Sequence, residues 1–178
     1  LDETTINNQT DGLPEKICKA IQTAADRVRT YHEKQLPQDL SVNDDLKSTL
    51  GYMWKPLETA GIYVPGGTAS YPSTVLMNAI PAMVAGVKDI VMATPLTDGQ
   101  INPSVLYAAK IVGIKKIYCM GGSQAVAAMA YGTESVAPVN KIVGPGNIYV
   151  AEAKRQVSGF VGIDMFAGPS EIVVISDQ

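Results

Sequence analysis

The chain has 178 residues, of which 46% are apolar and 17% are charged, and its formal net charge is −3. This length and apolar content predict one well-buried domain with some chain left over, and they exclude an intrinsically disordered protein. The slight acidic excess provides no basic face, so neither nucleic acid nor a membrane surface is expected as a partner. The most apolar stretch, residues 75–87, contains Asn78 and Pro81 and is well short of the ~20 residues of a spanning helix.

The ends of the chain and its cysteines bear on its origin. The first dozen residues are polar and acidic, unlike a signal peptide. Cys18 and Cys119 lack CxxC spacing, so we expect two buried, reduced thiols in a cytoplasmic protein. The chain begins at Leu1 instead of methionine and stops at Gln178, directly after a predicted core strand. We therefore expect a piece of a longer protein.

The first third of the chain predicts a helical appendage. Residues 1–12 are predicted to wrap loosely or form a short helix, and residues 14–35 to form an amphipathic helix that Pro37 ends. The apolar stripe of this helix is predicted to consist of Ile17, Ile21, Ala24, Val28 and Tyr31. A short strand pair is expected around residues 52–57. We assign residues 1–59 to this appendage, as part of a neighbouring domain.

From residue 60 onward, strand-like runs, glycine turns and helical segments alternate. The predicted strands are residues 62–64, 89–93, 116–120, 141–143 and 163–165, and the predicted turn-and-helix segments are residues 72–86, 103–113, 121–132 and 144–158. Because the strands are continuous apolar runs, they predict a parallel sheet that is buried on both faces. The predicted fold is α/β, with a doubly wound, mainly parallel sheet (incomplete Rossmann-like) and an N-terminal helical appendage.

This alternation also predicts where the domains divide. Residues 60–166 are expected to form the nucleotide-side domain. Residues 167–178 are expected to begin a strand that returns to the neighbouring domain, with its apolar run at residues 171–175.

The predicted carboxyl ends of the strands are rich in glycine. Glycine turns occur at residues 65–67, 121–122, 144–147 and 168–170. All but the last lead into a predicted helix, where exposed N–H groups and the helix dipole favour an anion such as a pyrophosphate. Each turn alone is also explained as a tight strand–helix connection. Neither GxGxxG nor GxxxxGK[ST] occurs, since the nearest run, residues 144–149, has Tyr149 in place of the third glycine.

Four polar side chains near these turns are candidates for ligand contacts. Tyr63 either stacks on a ligand ring or fills the core. Gln124 and Asn147 lie at helix starts, where they contact a ligand or cap the helix, and capping is favoured for Asn147. Ser170 follows Gly-Pro, which suits a ligand contact or an ordinary turn.

Catalytic chemistry cannot be assembled from the residues alone. His32, the only histidine, lies beside the apolar stripe of the predicted helix and is expected to be packed or half-exposed. No carboxylate pair adjoins the glycine turns. The pattern therefore yields no metal site, no nucleophile–base pair and no acid–base couple.

Several segments together resemble histidinol dehydrogenase, in that family's order and at about its spacing. They are residues 61–67, 73–77, 121–125, 141–147, 152–157 and 163–171. The resemblance implies a zinc-dependent enzyme that oxidises L-histidinol to L-histidine, the last step of histidine biosynthesis, in two NAD-linked hydride transfers through an aldehyde. By position, Tyr63, Gln124 and Asn147 match the family's NAD contacts, and Ser170 matches a substrate contact.

The same resemblance implies what this chain lacks. The family's zinc ligands and its catalytic Glu–His pair lie beyond Gln178, so we expect no catalytic residue and no metal ligand here, and no turnover by the chain alone. The complete enzyme is implied to be a cytoplasmic homodimer. Two alternatives remain: a diverged, non-catalytic nucleotide-binding domain, and an assembly module whose apolar helices form a subunit interface.

Overall fold

A computed structural model describes residues 1, 3–66, 70–166, 168 and 171–176 of the chain. In these residues, helices and strands follow one another in this order: α1 (Glu3–Thr10), α2 (Glu15–Glu33), β1 (Leu40–Asn43), β2 (Thr49–Tyr52), β3 (Thr59–Tyr63), α3 (Pro72–Val84), β4 (Asp89–Ala93), α4 (Pro103–Ile111), β5 (Lys116–Tyr118), α5 (Gly122–Tyr131), β6 (Lys141–Val143), α6 (Ile148–Val157) and β7 (Gly162–Ile163). None of these helices combines the length and the apolarity needed to cross a bilayer.

The main sheet has five parallel strands in the order β5-β4-β3-β6-β7. The chain therefore moves outward from β3 through β4 to β5, and then returns to the other side of β3 to form β6 and β7. In the register, Tyr63 lies opposite Ala93, and Ile62 lies opposite Val143. The predicted mainly parallel sheet is confirmed.

Successive side chains along the strands point to opposite faces of the sheet, and each face has its own hydrophobic core. Ile62 and Met92 point to the face that α1, α2, α3 and α4 cover. Tyr63, Ala93 and Ile142 point to the opposite face, which α5 and α6 cover. Because both faces carry helices, the continuous apolar strands are buried on both sides, and the predicted doubly wound arrangement is confirmed.

The N-terminal helices pack on the first of these cores. Helix α2 contacts α3 and α4, and α1 contacts α4. Helix α2 buries Ile21 and Ala25, with Val28 partly buried, whereas Ile17 is 41% and Tyr31 is 63% exposed. Ala24 is exposed as well, so three of the five residues of the predicted apolar stripe are wrong. Spacings of three and four residues define neighbouring stripes on one helix, and the contacts with α3 and α4 select the buried one.

A two-stranded antiparallel hairpin, β1 and β2, precedes the main sheet. The strand pair predicted at residues 52–57 is wrong, because the hairpin lies earlier and residues 53–57 form no strand. The carboxylate of Asp44 accepts hydrogen bonds from the N–H groups of Leu46 and Ser48, at 2.9 and 2.8 Å. This aspartate closes the turn, which places the hairpin upstream of the predicted position.

The end of the chain also departs from the prediction. Strand β7 is shorter than the predicted strand at residues 163–165, and residues 171–176 form no strand in the described part of the chain, so the returning strand stays a prediction. The side chains of Ile172, Val173, Val174 and Ile175 are 83–95% exposed. An apolar, β-branched run becomes a strand only when another strand pairs with it, and no described residue pairs with this one.

Candidate functional site

The switch point of the main sheet lies between β3 and β6. These strands are neighbours, but the helices that follow them, α3 and α6, cover opposite faces. In open α/β sheets, a crevice forms beyond the carboxyl ends of the strands at this point, and ligands bind there. The residues that follow β3 and β6 include two of the glycine turns found in the sequence.

Gly144 brings the loop after β6 into contact with the end of β3. Its φ angle is +117°, and a Cβ atom added there would lie 2.1 Å from the carbonyl oxygen of Tyr63. A side chain is excluded by both the conformation and the space. The loop at residues 144–147 therefore runs directly beside the end of β3 because residue 144 is glycine.

Tyr63 fills the core at this point. Its side chain is 4% exposed and packs in the α5–α6 core. Its hydroxyl oxygen accepts a hydrogen bond from the N–H of Gly122 at 2.9 Å. Of the two interpretations of Tyr63, the structure supports core packing, and the hydroxyl joins the start of α5 to β3. A contact between Tyr63 and a nucleotide stays a prediction.

Gln124 and Asn147 lie at the starts of α5 and α6. Gln124 is exposed in the first turn of α5. The side-chain oxygen of Asn147 accepts hydrogen bonds from the N–H groups of Tyr149 and Val150, both at 3.1 Å. The capping role favoured for Asn147 is confirmed, while the ligand contacts of both residues stay predictions. Ser170, the predicted substrate contact, lies outside the described residues.

The helix starts near the crevice differ in their capping. The side chain of Asn147 caps α6. In the described structure, no side chain caps the start of α3, at Tyr71, or the start of α5, at Gly121. The first N–H groups of a helix that has no cap are available to an anion, and the helix dipole favours negative charge there. Neither start keeps all of its first N–H groups free, because Pro72 has none, the N–H of Thr74 donates to the carbonyl oxygen of Tyr71 at 3.1 Å, and the N–H of Gly122 donates to the hydroxyl of Tyr63.

A cavity of about 370 Å³ opens beyond the ends of β3 and β4. Its lining combines backbone-rich turns with polar side chains, including Pro65, Gly66, Thr94, Pro95, Asp98 and Asn102. A larger groove of about 600 Å³ runs between α3 and β6, but mostly apolar side chains line it. A phosphate-containing ligand needs polar partners, so the first cavity is the better candidate.

A buried ion pair supports the loop after β6. The Nζ atom of Lys154, a residue that is 5% exposed, donates to the carbonyl oxygen of Gly144 at 3.0 Å and to the carboxylate of Asp164. The same carboxylate accepts the N–H of Gly144 at 2.9 Å. Partial burial raises the pKa of the Asp164 carboxyl, but the hydrogen bonds from Lys154, Gly144 and Met165 outweigh it and hold this pKa below its ordinary value.

This pair is absent from the residues that the sequence singled out. A signal was nevertheless present, because Lys154 lies three or four residues from Val150 and Val157, which the same helix buries. A lysine within an apolar stripe needs a buried acceptor. The partner, Asp164, comes from the end of β7, and the sequence alone does not bring the two together.

The described residues contain no group of three or more histidine, cysteine, aspartate or glutamate side chains arranged to hold a metal ion. His32 is half-buried, as predicted, with its ring 5.2 Å from that of Tyr31. The expected burial of both thiols is wrong, because Cys18 is half-buried and Cys119 is exposed, although both are free. Cys119 follows Tyr118, the last residue of β5.

Comparison with known proteins identifies the family. The sequence profile described as histidinol dehydrogenase matches residues 1–178. Histidinol dehydrogenase 1 of Trichormus variabilis is 60% identical over 159 residues, which cover 89% of this chain and 37% of that relative. Histidinol dehydrogenase 1 of Nostoc sp. is 55% identical over 178 residues, which cover 100% of this chain and 41% of the relative.

A solved structure agrees with these relatives. The crystal structure of histidinol dehydrogenase from Elizabethkingia anophelis has a TM-score of 0.90 and 41% sequence identity, and the match covers 96% of this chain and 40% of that one. The chain thus spans about two fifths of the length of the relatives that it matches. From the match over all of its residues, the chain belongs to the histidinol dehydrogenase family.

Proposed function

We propose that this chain is the nucleotide-side part of a histidinol dehydrogenase, which oxidises L-histidinol to L-histidine with NAD through an aldehyde. The observation that carries the proposal is the match to the family over residues 1–178. Because the chain spans only 37–41% of its relatives, we assign the complete reaction to the longer protein.

The crevice between β3 and β6 fits a dinucleotide. In a sheet with this strand order, the two halves of a dinucleotide lie on either side of the switch point. The cavity beyond β3 and β4 would receive one half, and the loop at residues 144–147 would face the other. The start of α3, which has no side-chain cap, lies at this crevice, and its helix dipole would favour the pyrophosphate. When bound, NAD would accept the hydride that leaves the alcohol carbon of the substrate.

The candidate side chains take different parts in this site. The hydroxyl of Tyr63 accepts a hydrogen bond from Gly122 at the start of α5. We therefore propose that Tyr63 positions the start of α5 at the site. Gln124 offers an exposed amide from α5. The Oδ1 atom of Asn147 caps α6, and we assign its amide nitrogen as a donor to the ligand. We propose Ser170 as the substrate contact.

The residues described here do not fit a zinc ion, because no suitable group of side chains occurs among them. We therefore derive no step of the reaction through zinc from this chain. We propose that the zinc ligands and the catalytic Glu–His pair belong to the rest of the longer enzyme, a cytoplasmic homodimer, and that the chain alone does not oxidise histidinol.

One observation favours the second candidate function, an assembly module. The hairpin of β1 and β2 exposes Leu40, Val42, Leu50 and Tyr52, which are 47–65% exposed. Contiguous exposed apolar side chains are typical of association surfaces. An assembly module would use this face and would bind no nucleotide.

Titration of the chain with NAD in a calorimeter separates these functions. We expect saturable binding of one NAD per chain, with NADP as the comparison ligand. A second assay with L-histidinol, NAD and Zn²⁺ is expected to produce no NADH. Lack of NAD saturation would contradict the nucleotide site and favour the assembly module, and formation of NADH would contradict the inactivity of the chain.

A further inference from the structure

Lys154 is a buried lysine on α6 whose contacts all lie at the switch point. Its side chain is 6% exposed. The Nζ atom donates to the carbonyl oxygen of Gly144 at 3.0 Å and to Oδ1 of Asp164. A buried ammonium group is costly without partners, so the position of Lys154 depends on both of these acceptors.

Asp164, which follows β7, completes the arrangement. Its side chain is 26% exposed. Oδ2 accepts the N–H of Gly144 at 2.9 Å, and Oδ1 accepts the N–H of Met165 at 2.8 Å as well as the bond from Lys154. The N–H and the C=O of Gly144 are therefore both bound by side chains, one from the end of β7 and one from α6.

Where β6 ends, these contacts take the place of the hydrogen bonds between strands. Gly144 is the first residue after β6, it is buried, and its φ of +117° takes the backbone out of the extended conformation of a strand. Buried backbone groups that leave a sheet need other partners. Lys154 and Asp164 supply them, and so join the loop at residues 144–147 to α6 and to β7. We name this pair the Lys154–Asp164 clamp.

Resting on the nucleotide site proposed above, we propose that the Lys154–Asp164 clamp positions the loop at residues 144–147 for dinucleotide binding without touching the ligand. The clamp fixes Gly144 beside the end of β3 and thereby places Asn147, at the end of the loop, at the start of α6. Lys154 and Asp164 are positioning residues, because their hydrogen bonds go to the backbone of Gly144 and Met165 and to each other.

A second ion pair on the same helix provides a matched control. Arg155 binds Glu152 through two contacts, at 2.8 and 2.6 Å, and both side chains are about half-exposed. Neither residue contacts the loop at residues 144–147 in the described structure. Replacing Arg155 by an apolar residue removes one positive charge from α6, as replacing Lys154 does. It leaves the hydrogen bonds of Gly144 intact.

The test compares NAD affinity with thermal stability in five variants of the 178-residue chain. Lys154→Met breaks the clamp, Lys154→Arg retains a cation, and Lys154→Met combined with Asp164→Leu removes both charges. Arg155→Met and Glu152→Gln are the controls. Replacing both members of a buried ion pair by apolar residues is often neutral for stability, so the double variant is expected to fold with a Tm close to that of the unmodified chain.

We expect the Kd for NAD to rise about tenfold or more in the double variant, because binding must then also order the loop that the clamp no longer holds. Amide hydrogen exchange at Gly144, Gly146 and Asn147 should accelerate in parallel. Lys154→Arg should recover part of the affinity, and the two controls should bind as the unmodified chain does.

The outcomes distinguish the clamp from the nucleotide site itself. If the unmodified chain binds NAD and the double variant binds it equally well, the positioning role is overturned while the nucleotide site stands. If the unmodified chain does not bind NAD, the nucleotide site fails, and the positioning role fails with it.

Discussion

The two sheets of this chain differ in the exposure of their apolar side chains. In the parallel sheet, Ile62, Met92 and Ile142 are 0% exposed, because helices cover both faces. In the hairpin, Leu40 lies opposite Tyr52 and Val42 lies opposite Leu50. These four side chains form one apolar face of the hairpin, and each is at least 47% exposed.

The difference shows that strand formation and burial have separate causes. The hairpin is held by local hydrogen bonds, from Leu46 and Ser48 to Asp44 and from the N–H of Trp54 to Asp39 at 2.8 Å. An isolated two-stranded hairpin is marginally stable in water. The parallel sheet is instead stabilised by burial, since its strands pair through residues distant in sequence. Substitutions in the two sheets should therefore differ strongly in effect.

The largest effect is expected where the parallel sheet is most constrained, at Gly144. Gly144→Ala would place a Cβ atom 2.1 Å from the carbonyl oxygen of Tyr63. We expect the free energy of unfolding to fall by about 3–5 kcal/mol, from backbone strain and the displacement of β3. Urea denaturation measures this. Gly113→Ala is the control, because Gly113 has a φ of +72° with no atom within 4 Å, and strain alone costs about 1–2 kcal/mol.

A direct comparison of the sheets follows from one pair of substitutions. Ile62→Ala opens a cavity in the covered sheet and should cost about 2–5 kcal/mol. Leu50→Ala, in the hairpin, removes a side chain that is 65% exposed, and it should change stability by about 0.5 kcal/mol or less. Chemical denaturation of both variants tests this. Equal losses would contradict the view that burial stabilises only the parallel sheet.

The Lys154–Asp164 clamp should make the parallel sheet sensitive to acid. The folded pKa of Asp164 lies below the ordinary value of about 3.9, so the unfolded chain binds more protons in acid. The stabilisation is present at neutral pH and is lost as the pH falls through the folded pKa. Asp164→Asn should cost about 1–3 kcal/mol at neutral pH and should flatten the fall in stability below about pH 5.

Thermal unfolding followed at a series of pH values measures this effect, and Glu152 is its control. The hydrogen bonds from Arg155 and Gln156 lower the pKa of Glu152 to about 2. Because that pair is solvent-exposed and screened, Glu152→Gln should leave the acid profile nearly unchanged. An acid profile of Asp164→Asn that matches that of the unmodified chain would argue against the clamp as a source of stability.

The smallest effect on stability, with a visible effect on association, is expected in the hairpin. Leu50→Lys places a charge on the exposed apolar face and should shift stability by less than about 0.5 kcal/mol. Self-association of the chain should decrease, as measured by sedimentation velocity across a concentration series. Ser41→Lys adds the same charge to the opposite, polar face of the hairpin and should leave association unchanged. Similar association in both variants would show that this face is not an association surface.

Local patterns predicted the elements of the parallel sheet well. The strands at residues 89–93 and 141–143 have the predicted bounds, because short apolar runs bounded by polar residues and glycines mark buried strands. The start of α3 at Pro72 was also predicted, since proline favours the first turn of a helix. Asn147 was predicted as a cap for a local reason of the same kind.

Other features depended on partners distant in sequence. The buried stripe of α2 was predicted with the wrong rotation, because Ile17 and Tyr31 fit the helical period as well as Ala25 does. Tyr63 had two interpretations, and its bond to Gly122, 59 residues away, selected one. The strand at residues 171–175 stays a prediction, because a strand needs a neighbour, which its own sequence does not supply.

The sequence by itself determined the alternation of strand, glycine turn and helix from residue 62 to residue 158, and the positions of the turns, because periodicity and turn chemistry act over a few residues. It also determined the family, through six matching segments in order. The tertiary structure alone decided the strand order β5-β4-β3-β6-β7, and with it the crevice between β3 and β6. It alone joined Lys154 and Asp164 around Gly144, because a buried charge finds its partner only after separate elements have packed together.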